Sequence, residues 1–237
     1  MYGYYYRFDP TMILVLIGVV LSAMASARVN STFNRYSRVR SVCGMTGAEV
    51  AMRLLNSQGI YDVSVRQVRG SLTDHYDPRT KTVNLSQSVY GATSIAALGV
   101  AAHECGHAIQ HAQNYVPLKL RGAFVPIANF GSQLSWPLIL IGLLLGRGGY
   151  MLIQIGILLF VCAVLFQLIT LPVEFNASSR AVQLLGSTGI LMENEVDGTK
   201  KVLGAAALTY VAAALGSILQ LLRLVILFGG RGRNDDR

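Results

Sequence analysis

Two histidines four residues apart, His103 and His107, lie in a stretch that is typical of an α-helix. This spacing places both imidazoles on one helical face, one turn apart. Two neutral imidazoles so arranged can ligate one Zn²⁺, and the adjacent Glu104 can act as a general base toward water that the metal activates. The pattern is the His-Glu-x-x-His motif of zinc hydrolases. This motif also occurs by chance in long helices, so the surrounding sequence must show whether it is a metal site here.

The third protein ligand of such a site must come from another part of the chain. His111 is close in sequence, but it lies two helical turns beyond His103, about 12 Å along the axis. We therefore expect His111 at the surface or behind the ligands. Glu174 is the better candidate because it follows an apolar segment, on the side of the membrane where topology also places the zinc helix. A carboxylate suits two histidines as a third ligand; an interfacial carboxylate without a metal is the alternative.

The elements that must position these residues are membrane helices. Of the 237 residues, 52% are hydrophobic and 14% are charged, which is too apolar for an ordinary soluble domain. Four apolar segments are long enough to span a bilayer, namely residues 11–27, 124–146, 150–171 and 204–228. The net charge of +8 indicates loops beside an anionic bilayer rather than nucleic-acid binding, because no basic cluster is interleaved with stacking aromatic residues.

The predicted fold is a mainly α integral membrane protein with about four transmembrane helices and a small α+β, zincin-like metalloprotease core. In the core, a capping box from Thr46 to Glu49 opens a helix, and a short pair of β-strands at residues 61–68 and 80–85 precedes the zinc helix. Ser94 or a neighbour is expected to cap that helix. The expected segments are an N-terminal anchor (1–28), the metalloprotease core (29–121), a transmembrane hairpin (122–171), a loop or helix supplying the third ligand (172–203), and a C-terminal transmembrane or re-entrant helix with a basic tail (204–237).

The distribution of Lys and Arg orients these spans. When residues 28–121 and 172–203 lie on one side of the membrane, that side holds fourteen Lys and Arg, against five on the other side. The basic side is expected to be cytoplasmic, so the metal site faces the cytoplasm and the first span is a retained anchor. This orientation places the basic tail residues Arg231, Arg233 and Arg237 on the opposite side from most Lys and Arg. A re-entrant last span is therefore an alternative.

Four segments together resemble the YugP-like family of bacterial membrane-embedded zinc metallopeptidases. They are LTDHYDP (72–78), VNLS (83–86), AHECGHAIQ (102–110) and LPVEFNAS (171–178), and the resemblance covers nearly the whole chain. More remotely, the arrangement is similar to the HtpX and CAAX prenyl protease group, whose third ligand lies in a Glu-x-x-x-Asp motif. That similarity implies Glu174 as the ligand. Ser178 stands where the group has Asp, so a carboxylate that would orient a zinc histidine is missing or supplied elsewhere.

These features predict a membrane-anchored zinc endopeptidase that cleaves membrane-associated or misfolded proteins near the cytoplasmic surface. The predicted zinc ligands are His103, His107 and Glu174, and Glu104 is the predicted general base. The expected partners are a protein or peptide substrate and membrane lipid, without nucleic acid, while an accessory membrane protein is left open.

The sequence does not single out one hydrogen-bond donor for the oxyanion of the tetrahedral intermediate. His75, Tyr76 and Arg180 are candidates by their chemistry, and each could equally have a structural role. Two other functions also stay open. A non-catalytic membrane scaffold with a structural zinc would not require Glu104, and a small-solute transporter would need charged or broken helices at bilayer depth.

Overall fold

The computed structural model describes residues 9–229. The elements in these residues follow in this order: α1 (Met12–Tyr36), α2 (Gly47–Ser57), β1 (Ser64–Val68), β2 (His75–Asp77), β3 (Thr82–Ser86), α3 (Gln87–Tyr90), α4 (Ile95–Ala112), α5 (Val116–Leu144), a 3₁₀-helix (Gly146–Gly149), α6 (Tyr150–Ser187) and α7 (Glu193–Phe228). The predictions for the chain before residue 9 and for the tail with Arg231, Arg233 and Arg237 lie outside the described residues.

Among the described helices, α1, α5, α6 and α7 are long and apolar enough to cross a membrane. This confirms the four spans predicted from hydropathy. Pro126 and Pro137, which the sequence suggests as a bend or break, both lie inside the continuous helix α5.

All four helices extend beyond the apolar segments seen in the sequence, and α6 and α7 do so most. α6 has 38 residues, about 57 Å at the helical rise, whereas the hydrocarbon core of a bilayer is about 30 Å thick. It continues through Pro172, so Glu174 lies on this helix and not in a separate segment. Val173, Ala177 and Ala181 explain the continuation, because they recur every four residues and are completely buried. α7 is also unbroken over 36 residues, which fits a span better than a re-entrant segment.

The described residues form two compact units. The first comprises residues 9–24, 124–167 and 211–229. Within it, Gly18 of α1 lies against Gly216 of α7, where a Cβ added to Gly18 would come 3.0 Å from the Gly216 Cα. Small residues therefore let these helices pack closely. Asp9 and Arg223 form an ion pair at 2.9 Å in the same unit, so the cation inside the last span has an anionic partner.

The second unit comprises residues 25–123 and 168–210 and contains the sheet. The strand order is β1-β3-β2, with β1 parallel and β2 antiparallel to β3. The predicted pair of strands corresponds to β1 and β3, but the stretch between them contains a third strand, β2, that the sequence does not predict. β2 has only three residues, and it forms because it pairs with β3 rather than because of its own composition. The zincin-like character of this core stays a prediction.

Two helices of this unit, α2 and α4, begin with the N-caps that the sequence predicts. The capping box between Thr46 and Glu49 is present at the start of α2, and the Ser94 hydroxyl accepts a hydrogen bond from the Ala97 N–H at 3.3 Å at the start of α4. Both caps confirm the helix starts expected from the sequence.

Glycines determine how closely α4 approaches its neighbours. A Cβ added to Gly106 would lie 2.6 Å from the carbonyl oxygen of Ala177 on α6, and one added to Gly99 would lie 3.0 Å from the Thr199 side chain on α7. At Gly106 only a residue without a side chain permits this contact with the α6 backbone, whereas a Cβ at Gly99 would require the Thr199 side chain to shift. The crossing at Gly106 brings the face of α4 that carries the two histidines next to the segment of α6 that carries Glu174.

Candidate metal centre

The imidazoles of His103 and His107 face the carboxylate of Glu174. Glu174 Oε2 lies 3.3 Å from His103 Nε2 and 3.5 Å from His107 Nε2, and the three ligand atoms are all within 4.8 Å of one another. The two rings are nearly perpendicular, with centroids 4.8 Å apart. The structure therefore brings together the three residues that the sequence predicts as metal ligands.

The chemistry of this cluster fits a zinc ion. Glu174 is 3% exposed, and its Oε2 accepts no hydrogen bond from any residue between 9 and 229. A buried carboxylate oxygen in that state is unfavourable unless a cation compensates it. In a tetrahedral site with metal–ligand distances of about 2.0 Å, the ligand atoms lie about 3.3 Å apart. The distances from Glu174 to both histidines are close to this value.

The orientation of His107 is set by Gln110, one turn further along α4. His107 Nδ1 lies 3.0 Å from Gln110 Oε1. An amide oxygen only accepts, so Nδ1 carries the proton and the Nε2 lone pair is free for a metal. Burial opposes the charged form of this histidine, but the contact with Glu174 and the charges of Glu104 and Glu174 outweigh it and raise the pKa of His107 above its ordinary value.

A chain of hydrogen bonds in turn fixes the amide of Gln110. Its Nε2 donates to the Val173 carbonyl oxygen at 2.8 Å and to Asn176 Oδ1 at 2.9 Å. Arg180 also donates to Asn176 Oδ1, at 2.7 Å, and to Gln113 Oε1, at 2.6 Å. Because a guanidinium can only donate, Arg180 fixes the amide orientation of Asn176 and through it that of Gln110. Arg180 thus connects Asn176 to Gln113 at the outer end of this chain.

His103 is oriented by a hydroxyl group. Its Nδ1 lies 3.0 Å from the Oγ of Ser178 on α6. Ser178 is the residue at which the remote resemblance led us to expect a carboxylate. The hydroxyl fills that position, so each histidine has a polar partner on the nitrogen that faces away from Glu174.

Arg121 of α5 neutralises the other carboxylate oxygen of the cluster. Its Nη1 donates to Glu174 Oε1 at 2.9 Å. This contact gives the carboxylate a cationic partner and directs Oε2 toward the histidines. Sequence reasoning missed Arg121, whose only visible signal is its position as the last cation before a long apolar segment.

A cavity of about 150 Å³ opens beside the cluster. Its walls include Glu104, which is 7% exposed, together with His103, Glu174 and Tyr210. The phenol of Tyr210 on α7 is therefore a polar group in the same cavity as the predicted general base. Nothing in the sequence near Tyr210 indicates this, because the contact depends on how α7 packs in the unit.

Of the three residues predicted as oxyanion donors, none lines this cavity. His75 Nδ1 lies 2.9 Å from the Thr73 carbonyl oxygen, and the side chain is exposed on β2. The Tyr76 hydroxyl is 2.8 Å from His111 Nδ1, and burial, with the charges of Asp62 and Asp77, raises the pKa of Tyr76 to about 12. His111 thus pairs with Tyr76 and is separate from the three-residue cluster, as helix geometry led us to expect.

Membrane-length helices together with a His-Glu-x-x-His helix that meets a buried carboxylate define the class of membrane zinc metallopeptidases. The family model described as "Putative neutral zinc metallopeptidase" matches residues 11–229, and the chain belongs to this family. It is 53% identical over 222 residues to the "Putative membrane protease YugP" of Bacillus subtilis (strain 168), across 93% of this chain and 98% of that protein. No solved structure shows a significant match.

These comparisons confirm the resemblance to the YugP-like family on which the sequence reasoning relied. The descriptions of the family and of this relative also agree, at the level of class, with a membrane-associated zinc peptidase. The more remote likeness to the HtpX and CAAX prenyl protease group stays a prediction.

Proposed function

We propose that the protein is a zinc endopeptidase of the bacterial cell membrane that hydrolyses peptide bonds in membrane-associated or misfolded proteins. In this proposal His103, His107 and Glu174 hold the metal and Glu104 is the general base. The observation that supports it most directly is Glu174 Oε2, buried between two imidazole nitrogens and without a hydrogen bond in the described part of the chain. Zinc at this position would lower the pKa of a water molecule toward neutrality and polarise a peptide carbonyl.

Glu104 is placed to transfer the proton. It follows His103 directly on α4, is almost completely buried, and lines the cavity beside Glu174. From there its carboxylate takes a proton from the attacking water and delivers it to the departing amine nitrogen.

Tyr210 supplies the donor that the tetrahedral oxyanion requires. Its phenol lines the same cavity as Glu104 and Glu174, and a neutral phenol can donate to an oxygen that gains negative charge. Tyr210 therefore takes the role for which the sequence suggests His75, Tyr76 and Arg180. Arg180 acts instead through Asn176 and Gln110 on the orientation of His107.

The ligand set is tested by measuring zinc and proteolysis together in the purified full-length protein. We expect about one zinc per chain in the wild type, its loss in His103→Ala and Glu174→Ala, and its retention in Glu104→Gln. Glu104→Gln should cleave casein at least 10²-fold more slowly, because general-base catalysis contributes about that much. Full zinc in Glu174→Ala would exclude Glu174 as a ligand. A wild type that binds zinc and cleaves nothing would favour the scaffold with structural zinc.

We also propose that the centre faces the cytoplasm, because the segments around it carry most of the Lys and Arg residues. Cys43, which lies in the unit with the centre and is partly exposed, reports this side once Cys105 and Cys162 are replaced by alanine. A membrane-impermeant maleimide should label Cys43 in inside-out vesicles but not in whole cells. Labelling in whole cells would reverse the orientation.

A further inference from the structure

Three cavities adjoin one another within the unit that contains the metal centre. The cavity beside Glu104 shares three wall residues, Ser178, Leu203 and Ala207, with a second cavity of about 460 Å³. The second cavity shares Lys200, Gly204 and Leu208 with a third, of about 420 Å³. Because the second cavity shares walls with both of the others, the three form a groove that begins at the metal centre, runs between α6 and α7, and ends between α7 and α1.

The middle of this groove is apolar. Phe175 and Val182 of α6 and Leu203 and Leu208 of α7 line it, and Phe175 is 47% exposed. Gly204 contributes no side chain, so that space is left between the two helices. Such walls accept aliphatic or aromatic side chains next to the cavity that contains Glu104.

The outer end of the groove is cationic. Arg28 and Arg35 of α1 and Lys200 and Lys201 of α7 line the third cavity. Lys200 has Asp197 at 3.1 Å, with both side chains more than half exposed. The other three cations form no ion pair with an acidic residue in the chain between residues 9 and 229. The positive charge at this end is therefore largely uncompensated and attracts an anionic group.

The length of the groove gives the spacing between its two ends. Tyr210 lines the cavity at the metal centre, and Lys200 lines both the second and the third cavity. These two residues are ten positions apart on α7, about 15 Å at the helical rise. An extended peptide covers this distance with about four or five residues.

We infer that this groove binds the substrate as an extended polypeptide, with apolar side chains beside the scissile bond and an acidic group four or five residues away at Arg28, Arg35, Lys200 and Lys201. The inference rests on the proposed function, because it takes the inner cavity as the place of cleavage. The groove is continuous with the inner cavity, and this favours a peptide as its ligand. The phosphate headgroup of an anionic lipid would contact only the cationic end and not the inner part of the groove.

The test measures binding and cleavage separately. Fluorescein-labelled peptides with a central Leu-Leu pair carry Glu, Gln or Lys four or five residues away, in one series on the amino side and in another on the carboxyl side. Binding is followed by anisotropy with full-length, zinc-loaded Glu104→Gln in nanodiscs of neutral phosphatidylcholine. In one of the two series the Glu peptide should bind about tenfold more tightly than the Lys peptide, as expected when a few partly exposed charge pairs act together.

This preference should fall to less than threefold in variants that also carry Arg35→Gln and Lys201→Gln. It should persist with Arg66→Gln, a matched exposed cation on β1 outside the groove. Equal binding of the Glu and Lys peptides in both series, or a preference that survives Arg35→Gln with Lys201→Gln, overturns the inference. The inference is also overturned if these cations bind phosphatidylglycerol tightly while the peptides show no preference. Cleavage by the wild type is scored independently, so loss of the proposed function and loss of the groove are distinguishable.

Discussion

Replacing Gln110 by methionine removes the amide that orients His107 while keeping a similar side-chain volume, so the fully buried site stays packed. Three hydrogen bonds are lost. The Val173 carbonyl lies inside α6 and keeps its helical hydrogen bond, and Asn176 Oδ1 keeps the donor from Arg180. Only the Nδ1–H of His107 loses its sole partner in the described structure.

The magnitude follows from that single orphaned donor. A buried N–H without a partner destabilises a protein by about 1–3 kcal/mol, and removal of the group that orients a metal-bound histidine weakens metal binding about 10- to 100-fold. We therefore expect zinc binding by Gln110→Met to be weaker by this factor. The assay is competition for zinc with a fluorescent chelator in detergent, with thermal unfolding measured on the same metal-free samples.

Gln113→Met is the matched control. Gln113 lies at the other end of the hydrogen-bond chain, is exposed, and contacts Arg180 rather than a histidine. Its replacement should change zinc affinity less than twofold. If folded Gln110→Met bound zinc as tightly as this control, the reasoning that Gln110 sets the metal-binding form of His107 would be wrong.

Three further outcomes are expected. Arg121→Gln should weaken zinc binding about tenfold because Glu174 loses its cationic partner, whereas Lys119→Gln, an exposed change on the same helix, should leave the chelator titration unchanged. Tyr210→Phe should keep its zinc but lower kcat about 10²-fold, the effect of removing an oxyanion donor; unchanged kcat would remove Tyr210 from the mechanism. The raised pKa of His107 favours its protonated form in the metal-free protein. Protonation therefore stabilises the metal-free fold fully below the ordinary histidine pKa of about 6.5. This stabilisation is lost as the pH rises through the higher pKa of His107 in the folded protein. Zinc competes for the same nitrogen, so its apparent affinity should rise with pH over that range, and a flat chelator titration between about pH 6 and 8 would contradict the assignment.

Local signals made half of the centre predictable. The four-residue spacing of the histidines and the cap at Ser94 act within one helix, so they are legible in the sequence. Glu174 required a further step, from the topology of the spans. The limit of that step is visible in α6, because the hydropathy change at residue 171 predicts an element boundary where the helix in fact continues. The buried four-residue repeat of Val173, Ala177 and Ala181 was the signal that the helix continues.

The groups that orient the ligands could not be predicted in the same way. Arg121 and Tyr210 belong to α5 and α7, and each reaches the centre only because of how those helices pack. Gln110 lies three residues after His107 on α4, so that contact is local, but the hydrogen bonds that fix the Gln110 amide depend on the packing of α4 against α6. Gly106 and Ala177 form the close contact between α4 and α6. In the sequence, neither can be distinguished from other small residues in helices. The strand β2 was missed for a related reason, since its three residues are ordered by pairing with β3.

The position of Glu174 on α6 has a consequence for when the metal site can form. The ribosome releases His103 and His107 well before Glu174, which emerges only after the apolar first part of α6. With the proposed ligand set, a nascent chain that has not yet inserted α6 presents two histidines without the fixed carboxylate, and two ligands bind zinc more weakly than three. With that ligand set, the metal site would be complete only in a chain whose α6 has been inserted.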